Sequence, residues 1–100
     1  MENKEMAIVI GADRLGNIEN LLDECGLSVL KHITGRSPKA QAGNMVSMSH
    51  AKVMILFTDF VGHNVMRNFR KQAKKQNIPF IACKRTISDV ARNLERYGFM

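Results

Sequence analysis

The sequence has few of the residues that mark several large protein classes. It has no tryptophan, one tyrosine, two prolines and two cysteines among 100 residues. Cys25 and Cys83 lie in unrelated contexts and form no C-x-x-C motif, so the sequence predicts neither a zinc framework nor covalently attached c-type haem. We expect both to be reduced core residues. The alternative for Cys83 is a reactive thiolate favoured by Lys84 and Arg85.

Long apolar runs are also missing. No stretch approaches the roughly 18 apolar residues that a membrane-spanning helix needs, and residues 1–5 are polar, with only a short apolar run behind them, unlike a secretory signal. Apolar residues still make up 45% of the chain, which is ordinary for a globular protein. The sequence therefore predicts a single cytoplasmic domain over residues 1–100, with no membrane partner.

Acidic residues are outnumbered, because 9 aspartates and glutamates face 15 lysines and arginines, for a formal charge of +6. This excess makes nucleic acid the first acidic partner to consider. Five cations fall within nine residues that contain no acid: Arg67, Arg70, Lys71, Lys74 and Lys75. The segment has neither a recognition motif nor exposed aromatics that could stack on bases. We expect a solvated helix face there, and nucleic-acid binding ranks third among the functions considered.

Four segments have the pattern of β-strands. The central one is the apolar run at residues 53–57, which is bounded by polar residues as a fully buried parallel strand would be. Residues 6–11 predict another buried strand. Leu27–Ile33 alternates polar and apolar residues, as a half-exposed edge strand does. Pro79 precedes the last predicted strand, Phe80–Cys83.

Three helices are predicted between and after these strands. Asn17 is expected to cap the first, which ends at Gly26, and Asn64 to cap the second. Thr86 and Asp89 form a capping pair for the third. Apolar residues recur at helical spacing in each: Ile18, Leu21, Leu22 and Cys25; Val65, Met66, Phe69 and Ala73; Ile87, Val90, Ala91 and Leu94. Residues 34–50 are irregular, with one short helical turn expected at residues 44–49.

Strands that alternate with helices require parallel pairing and right-handed crossovers. We therefore predict an α/β fold, a small three-layer doubly wound sheet of the Rossmann or flavodoxin type, with about four strands in the order 2-1-3-4. Such sheets bind ligands at the carboxyl ends of their strands. The residues expected at that edge are Asp13, Arg14, His32, Gly35, Arg36, Asp59, His63, Lys84 and Arg85. Because cations outnumber acids there, the edge should favour an anionic ligand.

Four short segments resemble a known family. They are G-A-D-R-L-G-N at 11–17, H-x-T-G-R at 32–36, T-D-F-V-G-H-N at 58–64 and I-P-F-I-A-C-K-R at 78–85. Together they are similar to a small bacterial domain-of-unknown-function family, number twenty-three twenty-five, over nearly the whole chain. The resemblance implies a ligand-binding module more than a catalyst, and haem binding has been associated with the family. Where the family often has Gly-Gly and an acid after its second strand, this chain has Thr34, Gly35 and Arg36.

Haem binding would draw on residues of the predicted edge. His63 or His32 could ligate the iron, and Arg14, Arg36 or Arg85 could pair with the propionates. Seven methionines are compatible with an adaptable pocket. The same histidines could equally be surface turn residues, since haem-ligating histidine has no distinctive spacing. Haem is the leading candidate for an anionic cofactor.

Other functions remain open. Asp59, with Asp13 and Thr86, resembles the phosphate-accepting aspartate of a receiver domain, but the paired acids and the lysine of a fifth strand are missing. Asp59, His32 and His63 could hold zinc, although without close ligand pairs. The motifs G-x-G-x-x-G, G-x-x-x-x-G-K-[ST] and G-x-S-x-G are absent from the sequence. We predict a non-enzymatic binding module, with a receiver-like or nucleotide-binding regulatory domain as the alternative.

The small size of the chain favours association of two copies. A chain of 100 residues buries only about two-thirds of its unfolded surface, and a four-stranded sheet leaves exposed edges. Tyr97, Phe99 and Met100 add apolar material at the C-terminal end that needs a neighbour. We therefore expect a homodimer.

Overall fold

A computed structural model describes residues 5–34 and 51–100. Four strands form one parallel sheet in the order β2-β1-β3-β4: β1 is Glu5–Ile10, β2 is Leu27–Ile33, β3 is Ala51–Phe57 and β4 is Phe80–Cys83. The helices of the described part are α1 (Asn17–Glu24), α2 (His63–Lys75) and α3 (Ile87–Arg96). The predicted α/β class, the parallel pairing and the strand order are confirmed.

Two apolar layers cover the sheet, because successive side chains of a strand point to opposite faces. Ala7 and Val9 of β1 join the layer that includes apolar residues of α1 and α3. Ile8 and Ile10 join the second layer, which includes Phe69 of α2. The helices therefore lie on both faces, as in a three-layer doubly wound sheet.

The predicted strands agree closely with the observed ones. β2 and β4 have the predicted bounds, while β1 begins and ends one residue earlier than predicted. Side chains 53–57 of β3 are almost entirely buried, because they are covered on both faces of the sheet. In β2 most side chains are half-buried, in agreement with the predicted edge strand.

The helix starts were predicted less well. The Oγ1 of Thr86 accepts a hydrogen bond from the backbone N–H of Asp89 at 3.1 Å, so the third cap is confirmed. The predicted caps Asn17 and Asn64 are wrong, because Gly16 and Gly62 occupy the N-cap positions. Both asparagines already belong to the first helical turn, whereas a capping side chain needs a non-helical backbone at its own residue. α1 ends at Glu24, just before the predicted stop.

The C-terminal residues differ partly from expectation. Phe99 packs against the apolar layer that contains α1 and α3, so its neighbour is the protein's own core. Tyr97 and Met100 remain exposed. The predicted helical turn at residues 44–49 lies outside the described residues. No helix of the described part of the chain is long and apolar enough to cross a membrane.

Candidate functional site

A cavity of about 340 Å³ opens at the carboxyl edge of the sheet. Its described lining residues come from the loops after β1, β3 and β4: Ala12, Asp13, Arg14, Phe60 and Arg85. β1 lies between β2 and β3, so the chain order of the strands reverses beside it. Doubly wound sheets bind ligands at this switch point, because the connections diverge there and leave a crevice. A cavity therefore lies at the edge of the sheet where the sequence predicts a site.

The turn after β1 adopts a backbone that few residues tolerate. Gly11 has φ +100°, and a Cβ atom there would lie 3.3 Å from the carbonyl oxygen of Phe57. Ala12 follows with φ +66°, in the left-handed region that is costly for a residue with a side chain. The N–H of Gly11 donates to the carbonyl of Ile33 at 2.8 Å, which anchors the turn to the end of β2. The chain is thereby directed into the loop that lines the cavity.

His32 of β2 fastens the same turn. Its Nε2 lies 3.1 Å from the carbonyl oxygen of Gly11 and 2.9 Å from that of Ala12. Carbonyl oxygens only accept hydrogen bonds, so Nε2 must carry the proton and donate. The predicted role of His32 as an iron ligand would therefore have to use Nδ1. This anchoring role could not be predicted from the sequence, because the bonded residues are about twenty positions apart.

Arg85 joins three loops of the site. Its Nε donates to the carbonyl of Arg14 at 2.8 Å, and its backbone N–H donates to the Asp59 carboxylate, with Oδ1 at 3.2 Å. A Cβ atom at Gly16 would lie 3.5 Å from Nη2 of the same arginine, so a small residue there leaves room for the guanidinium. Within residues 5–34 and 51–100, neither Nη group has a hydrogen-bond acceptor. Among the described residues, the guanidinium is thus held through Nε alone.

Two carboxylates hold the end of β4. Asp59 accepts from the N–H of Arg85, and Asp89 Oδ2 accepts from the N–H of Lys84 at 2.7 Å. Asp89 also pairs with Arg92, at 3.2 Å between Oδ1 and Nη1. Asp89 therefore does not return a bond to the Thr86 N–H, which donates instead to the Lys84 carbonyl. The second oxygen of Asp59, Oδ2, lies 3.4 Å from the same Arg85 nitrogen.

The cavity unites only some of the predicted site residues. Asp13, Arg14 and Arg85 line it together, whereas the other described ones do not: His32, Asp59, His63 and Lys84. His63 is exposed at the first position of α2. The Lys84 side chain is exposed and its backbone holds Asp89. The remaining predicted residues, Gly35 and Arg36, lie outside the described part of the chain.

Neither cysteine supports thiol chemistry. Burial raises the pKa of the Cys83 thiol to about 12, and the nearby Asp89 and Asp59 carboxylates add to the shift. Burial and then Glu24 also raise the pKa of the Cys25 thiol. The predicted alternative of a reactive Cys83 thiolate is therefore wrong. Among the histidines, cysteines and acids of the described ranges, no group of three is placed to hold a metal ion.

Phe60 is the lining residue that the sequence reasoning overlooked. It follows β3 and is 49% exposed, although phenylalanine usually lies in the core. Its ring is therefore open to a flat partner beside the two arginines. The sequence feature that points to Phe60 is an aromatic residue within a polar turn that directly follows a buried strand.

A second cavity, also of about 340 Å³, lies between α1 and β2. Its described lining residues include two acids and no cation: Glu19, Asn20, Asp23, Leu27, Ser28 and Val29. The two acids make it unsuitable for the predicted anion. The cavity at the carboxyl edge is therefore the better candidate, since it has two arginines and one acid.

Comparison with known proteins identifies a family. No curated protein and no solved structure matches the chain. Residues 6–97 match a bacterial family described as "Uncharacterized protein conserved in bacteria (DUF2325)". The match includes both loops that supply the arginines and the turn that supplies Phe60. The chain therefore belongs to this bacterial family.

Proposed function

We propose that the protein is a binding module for an anionic small molecule or cofactor, which it holds in the cavity lined by Arg14, Phe60 and Arg85. The observation that carries this proposal is the Arg85 guanidinium, fixed through Nε to the Arg14 carbonyl and without a described acceptor at either Nη. A carboxylate or phosphate can accept two parallel bonds from such a guanidinium. Fixing the side chain beforehand reduces the entropy that ligand binding would cost.

The chemistry of the cavity favours a flat ligand with an acidic group. The exposed ring of Phe60 offers a stacking face, and the arginines offer the charge. The ring would lie on Phe60 while the acidic group meets Arg85. Haem, with its planar ring and propionates, is the first candidate, and a nucleotide, with its base and phosphates, is the alternative.

The described residues fit the two ends of haem unequally. Arg14, Arg85 and Phe60 suit the propionates and the ring. For the iron, His32 offers only Nδ1, because its Nε2 donates to two carbonyls. His63 is the more accessible candidate, since its side chain is exposed where α2 begins at the same edge. A bound haem would supply an iron centre for sensing or carrying, and the chain's own residues would position it.

The receiver-like alternative has less support. The Asp59 carboxylate accepts from the Arg85 N–H, so it is already used to hold the loop after β4. The turn after β1 carries Asp13 but not the pair of acids that a receiver domain has there.

Two further parts of the proposal concern assembly and location. We propose a homodimer, which the exposed apolar side chains of Ile87, Tyr97 and Met100 support because a second copy could cover them. We place the protein in the cytoplasm, where Cys25 and Cys83 would stay reduced as the free thiols they are.

The test combines an absorbance titration with hemin and a calorimetric titration with ATP and with inorganic phosphate. We expect one of these probes to bind, and Arg85→Lys to weaken it about tenfold, because lysine cannot make the parallel pair of bonds. The matched control is Arg96→Lys on the exposed side of α3, which should bind as the parent does. If none of the probes binds at millimolar concentration, or if both variants bind equally, the proposal fails.

For hemin, a second variant separates the iron ligand from the arginines. His63→Ala should lower the affinity and shift the Soret band without affecting the urea unfolding curve, because the side chain is exposed. An unchanged spectrum in His63→Ala would remove this histidine from the proposed site.

A further inference from the structure

The positive charge of the described chain is concentrated on one helix. α2 carries Arg67, Arg70, Lys71, Lys74 and Lys75 and no acidic residue. Outside α2, the described residues include seven lysines and arginines and eight aspartates and glutamates. The rest of this part of the protein is therefore nearly neutral. We call these five side chains the basic face.

The described residues do not neutralise the basic face. The ion pairs of the described residues join Lys52 to Glu5 and Arg92 to Asp89, and neither includes a cation of α2. All five side chains of the basic face are exposed. One of them is held in place, since Cζ of Arg70 lies 5.6 Å from the centre of the Phe80 ring, within cation–π range. The field of the face is therefore available to a partner.

The side chains that α2 exposes limit the kinds of partner that this helix can bind. The apolar side of α2 is occupied, because Phe69 and Ala73 are buried in the core. None of the exposed large apolar side chains belongs to α2. An interface with a protein usually needs a buried aromatic or aliphatic anchor, and a helix that inserts into a membrane surface needs a free apolar side. The basic face offers charge alone, which is what contacts to a phosphate backbone require.

We propose that the basic face of α2 binds the phosphate backbone of a nucleic acid without reading its sequence. A 13-residue helix is about 20 Å long, and residues three and four apart share one side of it. The five cations thus form a strip that can follow several successive phosphates. Because no exposed aromatic lies on α2 to stack on bases, binding should be driven by the release of counterions.

This surface is separate from the cavity. α2 begins at the carboxyl edge with His63 and runs back along the sheet, so Lys74 and Lys75 lie near the amino end, where β4 starts. The cavity includes none of the five cations among its described lining residues. The two proposals therefore stand on different residues and can fail independently.

The experiment measures the binding of a fluorescein-labelled DNA duplex of mixed sequence by anisotropy over a series of KCl concentrations. If all five cations contact phosphates, the plot of log K against log [KCl] should have a slope of about −4 to −5. The triple variant Lys71→Gln, Lys74→Gln, Lys75→Gln should bind more weakly and reduce the size of the slope by about 2.7. The control triple Lys31→Gln, Lys52→Gln, Arg96→Gln removes the same formal charge outside α2 and should keep a slope close to that of the parent.

Each other outcome overturns the proposal. No retention of DNA at 50 mM KCl, or equal slopes in the two triple variants, would show that the face is only solvated. Tighter binding of polyglutamate than of DNA would indicate an acidic protein partner, and retention only on anionic lipid vesicles would indicate a membrane surface.

Urea unfolding curves check that the variants are folded. Should the α2 triple unfold, Lys74→Gln with Lys75→Gln tests the same point, with an expected reduction of about 1.8 in the slope. Arg85→Lys should bind DNA as the parent does.

Discussion

The cavity and the basic face both gather positive charge, but they do so in opposite ways. At the cavity, two arginines accompany Asp13, and Arg85 is held by bonds from its own backbone and side chain. On the basic face, five cations stand without an acid, and only Arg70 has an aromatic neighbour. The cavity has little net charge, and its arginine side chain is held by defined contacts. The basic face has a large net charge, and few of its side chains are held by defined contacts.

This difference indicates which changes each region should tolerate. A fixed guanidinium recognises the directions of its partner's oxygens, so an exchange that keeps the charge still removes the recognition. A strip of exposed cations acts through its summed charge, so its affinity should depend on the number of charges and on the salt concentration. Four predictions test this contrast, ordered by the expected size of the effect.

The largest effect should follow from breaking the turn that carries the cavity. Gly11→Ala adds a Cβ atom 3.3 Å from the Phe57 carbonyl oxygen at φ +100°, and we expect it to lower the free energy of unfolding by about 2–3 kcal/mol. The control Gly62→Ala, at φ −78° with no atom within 4 Å of the new Cβ, should cost less than about 1 kcal/mol. Urea unfolding measures both. Equal losses would mean that the turn stores no particular strain.

The next effect compares the same exchange in the two regions. Arg14→Lys should weaken binding of the cavity's ligand about tenfold, which is about 1.4 kcal/mol, if its guanidinium contacts the acidic group. Arg67→Lys with Arg70→Lys keeps the charge of α2 and should change DNA affinity by less than about twofold. Calorimetry and anisotropy measure the two affinities. A tenfold loss of DNA binding in the α2 variant would show that this face also depends on guanidinium geometry.

A smaller effect separates the observed helix cap from a predicted one. Thr86→Ala removes the Oγ1 acceptor of the Asp89 N–H and should lower the free energy of unfolding by about 1 kcal/mol. Asn64→Ala changes a residue that lies inside α2 and makes no cap bond, so it should alter stability by less than about 0.5 kcal/mol. Thermal or urea unfolding measures both. A larger loss in Asn64→Ala would restore the capping role expected from sequence.

The strands and their parallel order were predictable from the sequence, because they depend on patterns among residues that are close together in the chain. Alternating apolar patterns set the strands, and their alternation with helices set the parallel order. The caps at Asn17 and Asn64 were misplaced by one and two residues, because glycine can occupy the same N-cap conformation. The local sequence pattern does not decide whether the asparagine or the nearby glycine occupies the N-cap position.

The loops around the cavity were predictable in their position but not in their contacts. Arg14 and Arg85 were both expected at the carboxyl edge, yet the bond between them joins residues 71 positions apart. The anchoring role of His32 and the exposure of Phe60 depend in the same way on how the loops meet. Such contacts follow from tertiary packing, which spacing along the chain does not report.

The smallest expected effect concerns the stability of the basic face. Lys71→Gln, Lys74→Gln and Lys75→Gln together should change the free energy of unfolding by less than about 0.5 kcal/mol in 0.15 M salt. These lysines are exposed and form no ion pair with a described residue. Lys74 and Lys75 lose their favourable position at the C-terminal end of the helix, while the mutual repulsion of the cations falls. Binding in the cavity should also be unchanged. Urea unfolding measures the stability, and the hemin, ATP and phosphate titrations measure binding in the cavity. A loss of more than 1 kcal/mol in the free energy of unfolding would mean that the basic face stabilises the fold as well as binding any partner.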